Sequence, residues 1–324
     1  MTTQRIPLNT FAVGFGLAGV AEAWSAAAPV LGLPGWAPQV FWVIAAVAWL
    51  WLVTAHLVRG VRATQRLRDQ LRHPAQGPLA ALVPVVALLL GADLSRYAAG
   101  AGRLVVVLAL VAAAVFAGWL ISTWLRGELE LAAVHGGYLL PTVAAGLVGA
   151  DAAATVGLPE VGWAAFGVGV FFWVVVTTLI LLRIIVRPAL PDALTPTLAI
   201  LLAPPPVAGL AWFALAGPVA SPAPAALAGL AALFVLIQLA LVPRYRRLTF
   251  SLGFWSFTFP TAATVAFTFE WLEITAAPGR SAITAVLLIA LTGFVGVLGV
   301  RSVRARTTAL RTLTVADDKD ATVR

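Results

Sequence analysis

Ten long apolar stretches dominate the hydrophobic pattern of the chain. They lie at about 10–29, 39–58, 79–97, 104–125, 137–157, 161–182, 195–216, 224–242, 250–271 and 281–300. An α-helix needs about 20 mostly apolar residues to cross the hydrocarbon core of a bilayer. The stretches lack the alternation of apolar and polar residues that is typical of membrane β-barrels. The pattern therefore predicts an all-α integral membrane protein with ten transmembrane helices.

The composition excludes a water-soluble domain and most catalytic chemistry. Of the 324 residues, 61% are hydrophobic and 10% are charged, whereas about a quarter of a soluble domain is charged. The chain has no cysteine, and its three histidines are far apart, so neither a thiolate nucleophile nor a metal-ligand spacing is present. The sequence also has no Walker motif, catalytic carboxylate pair or nucleophile elbow. We therefore expect no enzyme, no metal and no cofactor.

The basic residues are distributed unequally between the two ends of the predicted helices. With the N-terminus placed in the cytoplasm, 18 of the 21 Lys and Arg residues fall on the cytoplasmic side. Only Arg96, Arg103 and Arg280 fall on the other side. This bias fixes orientation by the positive-inside rule, and it predicts cytoplasmic termini in the plasma (inner) membrane. The membrane topology thus explains the excess of basic residues and the net charge of +8, and no nucleic-acid partner is expected.

Residues 1–300 are expected to form one pore domain, and residues 301–324 a short basic cytoplasmic tail.

Interior prolines occur in the odd-numbered stretches and not in the even-numbered ones, and the first odd stretch carries glycines instead. These residues are Gly14, Gly16, Gly19, Pro84, Pro141, Pro204, Pro205, Pro206 and Pro260. A proline removes one backbone donor, so the freed carbonyl needs water or a neighbouring helix. The pattern therefore predicts odd helices that line a central, hydrated pore and even helices that surround them. The result would be a quasi-fivefold bundle of five tandem hairpins.

Four short motifs occur in order along these stretches. They are Leu71-Arg72-His73-Pro74, Gly137-Tyr138-Leu139-Leu140-Pro141-Thr142-Val143-Ala144, Leu190-Pro191-Asp192-Ala193-Leu194 and Phe254-Trp255-Ser256-Phe257-Thr258-Phe259-Pro260. In these motifs the chain resembles the tellurite-resistance/dicarboxylate transporter family, which includes the TehA proteins and the plant slow-type anion channels. The resemblance covers essentially all ten stretches. It implies tandem hairpins around a pore, a homotrimer, and passage of small inorganic or organic anions.

The resemblance also implies a gate at Phe259, since a phenylalanine of the ninth helix plugs the pore in that family. An aromatic ring across a narrow apolar pore blocks hydrated ions by bulk and dewetting. On an ideal helix, however, a face of Thr258, Thr261, Thr264 and Thr268 lies nearly opposite Phe259. Either Pro260 bends the helix enough to bring both to the pore, or the threonines bond backbone carbonyls or neighbouring helices.

Glu22 is the one carboxylate placed well inside a predicted span. An ionisable group at that depth is costly unless it is paired or hydrated, so Glu22 is a candidate site for protons or for tuning anion entry. Its alternative role is a side chain that reaches the outer interface. Five other acids lie near outer span ends, where solvation by water is expected: Asp93, Asp151, Glu160, Glu270 and Glu273.

Two transport functions follow from these residues. The first is an anion channel gated by Phe259. The alternative is a secondary transporter that couples protons, through Glu22, to four-carbon dicarboxylates or sulfite. A scaffold that transports nothing is a third class, which the wet odd helices disfavour.

Overall fold

The computed structural model describes residues 5–321, with side chains described for residues 5–305. This part of the chain is all helical. Nine of its helical segments are long and apolar enough to cross a membrane. They are Leu8–Leu31, Trp36–Arg62, Gly77–Leu94, Ala99–Leu125, Gly136–Thr155, Pro159–Val186, Thr195–Ala216, Pro222–Tyr245 and Arg280–Ala305.

A tenth segment lies between the last two of these, where the 3₁₀ helix Leu252–Phe257 continues into the α-helix Thr258–Ile274. We number the segments as spans 1 to 10 in chain order, so that this one is span 9. Each span overlaps one of the ten stretches expected from the sequence. The prediction of an all-helical, multi-pass membrane protein is confirmed.

Every odd span begins with a tight 3₁₀ turn and then widens into an α-helix. The 3₁₀ segments are Leu8–Phe11, Gly77–Ala81, Gly136–Leu139, Thr195–Leu202 and Leu252–Phe257. The α-helical parts are Ala12–Leu31, Leu82–Leu94, Ala145–Thr155, Pro204–Ala216 and Thr258–Ile274. In span 5 a single π-helical segment, Leu140–Ala144, separates the two parts. The odd spans are therefore two-part elements, with the change of helix type inside the bundle.

Five of the predicted interior prolines lie at these junctions, in spans 3, 7 and 9. Pro84 and Pro260 are each the third residue of an α-helix, and Pro204, Pro205 and Pro206 are the first three residues of another. The first N–H groups of an α-helix have no intrahelical partner, so a proline there removes no bond. The expectation that these prolines free a backbone carbonyl is therefore wrong. They mark where the α-helices of spans 3, 7 and 9 start.

The even spans are long, uninterrupted α-helices on the outside of the bundle. They are Trp36–Arg62, Ala99–Leu125, Pro159–Val186, Pro222–Tyr245 and Arg280–Ala321. Between 6% and 28% of each even span is buried, compared with 56% to 83% of spans 1, 3, 5 and 7. Large apolar side chains such as Trp51, Leu108 and Ile185 are exposed on them. An apolar surface of this extent fits contact with lipid.

Hydrogen bonds at the span ends show that spans 1, 2 and 3 run antiparallel to their neighbours in the chain. Arg5, before span 1, donates from its guanidinium to the Gly60 carbonyl near the end of span 2, at 3.1 Å. Gln39, near the start of span 2, donates to the Asp93 carboxylate near the end of span 3, at 3.3 Å. We call the side where odd spans begin the N-terminal face and the side where they end the opposite face. All five 3₁₀ turns therefore lie toward the N-terminal face.

Candidate functional site

The larger of two axial cavities lies where the odd spans change from 3₁₀ to α-helix. It has a volume of about 40 Å³ and receives side chains from all five odd spans. Its lining residues are Ala12, Phe15, Leu79, Leu82, Leu139, Leu140, Val143, Ala144, Leu147, Ile200, Ala203, Pro204, Val207, Trp255, Ser256, Phe259 and Pro260. None of these side chains carries a charge. The cavity is therefore a neutral and mostly apolar chamber.

A second, smaller cavity continues toward the opposite face. It has a volume of about 10 Å³, and it too is lined from all five odd spans. Its lining residues are Glu22, Leu89, Val148, Asp151, Val207, Leu210 and Phe259. Two carboxylates thus face this chamber, in contrast to the neutral lining of the larger one.

The ring of Phe259 lies at the boundary between the two cavities. Phe259 borders both of them and is 3% exposed. Its ring stacks on that of Phe15 from span 1, with centroids 3.6 Å apart and planes 15° apart. Span 1 approaches closely because Gly19 has no side chain: a Cβ there would lie 3.0 Å from Cδ2 of Phe259. The packing between spans 1 and 9 therefore fixes the ring beside both cavities.

The threonines of span 9 satisfy their hydroxyl groups within their own helix. Thr258 donates to the Trp255 carbonyl at 2.7 Å, and Thr261 donates to the Phe257 carbonyl at 2.7 Å. The hydroxyls of Thr264 and Thr268 donate in the same way, to the carbonyls of residues 260 and 264. Of the two interpretations of this face, bonding to backbone carbonyls is the one that the structure shows. Phe259 and the threonines need not share one surface.

The three glycines of span 1 were expected to line the pore, but they pack against neighbouring helices. A Cβ on Gly16 would collide with the side chain of Thr258 in span 9. Gly14 faces Trp49 of span 2, at ordinary contact distance. Gly19 lies against Phe259, as described above. Close helix approach, the usual role of small residues in membrane helices, accounts for Gly16 and Gly19. None of the three glycines lines either axial cavity, so the pore-lining expectation for them is corrected.

The candidate prolines and Glu22 fall into two groups. Pro204 and Pro260 line the larger cavity, and Glu22 lines the smaller one. Pro141 instead lines a crevice between spans 4, 5 and 6, so its predicted place on the axis is wrong. Pro84 and Pro205 line neither axial cavity; both lie in the first turn of an α-helix, where proline is favoured.

Sequence reasoning missed Phe15, Val207 and Asp151, all of which lie on the axis. Phe15 and Glu22 are seven residues apart, about two turns of α-helix, so one face of span 1 carries both. That spacing could have indicated Phe15. Asp151 was expected in a solvated rim, because its position near the end of span 5 does not reveal which way its side chain points. Val207 has no distinguishing sequence signal.

The N-terminal face contains a buried cation and a buried neutral imidazole. Arg183, which is 4% exposed, donates to the Pro188 carbonyl at 2.7 Å and to the Ala132 carbonyl at 3.4 Å. Its charge is thus bound by carbonyl dipoles. Nδ1 of His135 accepts a hydrogen bond from the backbone N–H of Gly137, at 3.1 Å. Burial lowers the pKa of His135 to about 4, so its ring is neutral near pH 7.

Metal binding finds no support in the part of the chain that the structure describes, because no group of three or more His, Cys, Asp or Glu side chains is placed to hold an ion.

A helical membrane bundle with in-line cavities along its axis belongs to the channel and transporter class of proteins. Within that class, residues 5–303 match the voltage-dependent anion channel family (SLAC1), and the chain belongs to this family. It is 23% identical over 264 residues to the "Tellurite resistance protein TehA homolog" of Haemophilus influenzae, covering 81% of this chain and 80% of the relative. It is also 23% identical over 301 residues to the "S-type anion channel SLAH3" of Arabidopsis thaliana, covering 89% of this chain and 46% of that protein. The resemblance found in the four sequence motifs is confirmed.

Proposed function

We propose that the chain is an anion channel whose pore runs along the axis of the odd spans and is closed by Phe259. Small inorganic or organic anions would be its substrates. One observation carries the proposal: Phe259 borders both cavities, and both cavities are lined from all five odd spans. An aromatic ring across a narrow apolar passage excludes hydrated ions by bulk and dewetting. Opening then requires the ring to leave the axis.

The stack of Phe259 on Phe15 suggests how the ring is held and released. A stacked aromatic pair contributes about 0.5–1.5 kcal/mol beyond its buried area, which is within the reach of a modest conformational change. The larger cavity lies directly beside the ring, and the ring would turn toward it when the pore opens. Gating would thus be centred on the rotation of one side chain.

The charge distribution supports anion passage through a neutral pore. The loops that follow the even spans are rich in arginine, and a positive surface concentrates anions at the mouth of a pore. By the positive-inside rule this face lies in the cytoplasm, which puts both chain termini there. Selectivity in the larger cavity would come from these charges and from backbone dipoles, and would be weak.

We further propose that the ten spans form five tandem hairpins. Three chains, each with its own pore, would form a homotrimer in the plasma (inner) membrane.

The channel is favoured over a proton-coupled carrier of dicarboxylates or sulfite. The matched family is described as a voltage-dependent anion channel, and one relative is named an anion channel. The two-cavity axis interrupted by a single ring also suits a gated pore.

The test is the anion current of the purified protein in planar bilayers, with Phe259→Ala compared with wild type. We expect the variant to carry at least about ten times the wild-type current, which needs a barrier only about 1.4 kcal/mol lower, and to show an anion-selective reversal potential. Phe267→Ala is the matched control. Phe267 lies two turns further along the same helix, is also 3% exposed, and stacks on Phe213 without bordering either cavity. A folded Phe259→Ala protein that conducts no more than the control would refute the proposal.

A further inference from the structure

We propose that Glu22 and Asp151 form a second, electrostatic barrier in the smaller cavity, which anions pass only when these carboxylates hold protons. The inference rests on the proposed function and adds to it the dependence of the pore on the pH at the opposite face. Its basis is where the two side chains lie, next to Phe259 on the same axis.

The two carboxylates come from different spans and meet in one small chamber. Glu22 belongs to span 1 and Asp151 to span 5. The rest of the chamber is apolar: Leu89, Val148, Val207, Leu210 and the Phe259 ring. Within the part of the chain whose side chains are described, neither carboxylate accepts a hydrogen bond or forms an ion pair. Both negative charges therefore act directly on whatever enters the chamber.

The surrounding charged groups do not neutralise the pair. Glu270 from span 9 adds a third carboxylate within electrostatic range, and Arg96, after span 3, is a cation that acts on both Glu22 and Asp151. The guanidinium of Arg96 is 57% exposed and lies 3.9 Å from the Asp93 carboxylate, so it is shared and screened by water.

The remaining neighbours add no positive charge to the chamber. Span 7 contributes only Val207 and Leu210 to it. On the same face of the protein, Arg280 is paired with Glu273 at 3.0 Å, and Gln39 of span 2 is bonded to Asp93. With Glu22, Asp151 and Glu270 ionised, the chamber is therefore negative.

A negative chamber opposes the ions that the pore is proposed to carry. Interactions between charges strengthen in narrow, low-dielectric clefts, and a cleft of one sign changes the local concentration of ions by tenfold or more. Two interacting carboxylates take up protons as a coupled pair, and each proton removes one repulsive charge. Acidification of the opposite face then lowers the barrier, while Phe259 remains a separate, steric one.

The experiment uses Phe259→Ala protein in planar bilayers, so that the steric gate is open. The pH of the bath on the opposite face is varied from about 8 to about 5. We expect the anion current to rise about tenfold as the pH falls. In Phe259→Ala/Glu22→Gln/Asp151→Asn protein the current is expected to be high and to lose most of its pH dependence, since only Glu270 of the three carboxylates remains. Glu160→Gln is the matched control, because Glu160 is an exposed acid at the start of span 6 that borders neither cavity; it should leave the pH dependence intact.

The outcomes separate this inference from the function on which it rests. A Phe259→Ala current that does not depend on pH, or a pH dependence that persists undiminished in the triple variant, overturns the electrostatic barrier and leaves the channel in place. Silence of every variant at every pH overturns the channel, and the barrier with it. The conservative exchanges Glu22→Asp and Asp151→Glu should retain the pH dependence, and its loss in both would also contradict the inference.

Discussion

The stack between Phe15 and Phe259 gives a quantitative prediction about the closed pore. In Phe15→Ala protein the Phe259 ring keeps its position on span 9 but loses the partner 3.6 Å away. Loss of about 0.5–1.5 kcal/mol of stacking energy makes displacement of the ring about 2 to 13 times more frequent at 25 °C. The variant should therefore leak anions about 2- to 13-fold faster than wild type and more slowly than Phe259→Ala.

Anion efflux from proteoliposomes measures this leak, with Phe11→Ala as the matched control. Phe11 lies one turn earlier in span 1, is 1% exposed, and contacts His56 edge-to-face without bordering either cavity. If Phe15→Ala leaks no faster than Phe11→Ala while Phe259→Ala conducts, the stack does not hold the gate. If Phe15→Ala conducts as well as Phe259→Ala, Phe15 is itself the plug, and the assignment of the gate to Phe259 alone is wrong.

Two further predictions concern stability, measured by unfolding in detergent. Gly16→Ala should destabilise the protein by about 1–3 kcal/mol, because the new Cβ would lie 2.6 Å from Cβ of Thr258. Gly14→Ala is the control and should be tolerated, since the nearest neighbour atom would lie 3.6 Å from its Cβ. Equal stability of the two variants would contradict the packing role of Gly16. The second prediction concerns His135, because burial lowers its pKa from 6.5 to about 4. Between these pH values the unfolded state binds a proton that the folded state does not. The free energy of unfolding should therefore fall by about 3 kcal/mol as the pH drops from 6.5 to about 4. His135→Asn should flatten that dependence, and an unchanged slope would show that other groups cause it.

Hydropathy was sufficient to locate the spans because lipid forces the backbone of each crossing segment to bond within itself. The division into odd and even spans was also readable from the interior prolines, and the structure agrees with it, because the even spans expose apolar side chains such as Ile185 and Leu108. The structural meaning of the prolines was not readable. A proline such as Pro260 is compatible with a kink or with the first turn of a helix, and the 3₁₀ segment before it decides between them.

The residues that line the two axial cavities could be predicted from the sequence only in part. Phe259 was identified through its motif, because nothing in an isolated helix distinguishes it from Phe267. Glu22 was found from the cost of a carboxylate inside a span. Asp151 and Phe15 became visible only when spans 1, 5 and 9 were packed together, since a contact between distant segments depends on how the helices are rotated.

The most direct test of a pore closed by Phe259 asks whether its ring separates the two cavities, which Val207 also borders. The chain has no cysteine, so a single introduced thiol is the only target for an anionic thiol reagent applied from the N-terminal face. Leu210→Cys places the thiol in the smaller cavity, beyond the ring, and Ala144→Cys places it in the larger cavity as the control. We expect Ala144→Cys to react whether residue 259 is Phe or Ala. Leu210→Cys should react only in the Phe259→Ala background, where its modification should also block the anion current. Equal reaction rates of Leu210→Cys in both backgrounds would contradict a pore closed by Phe259.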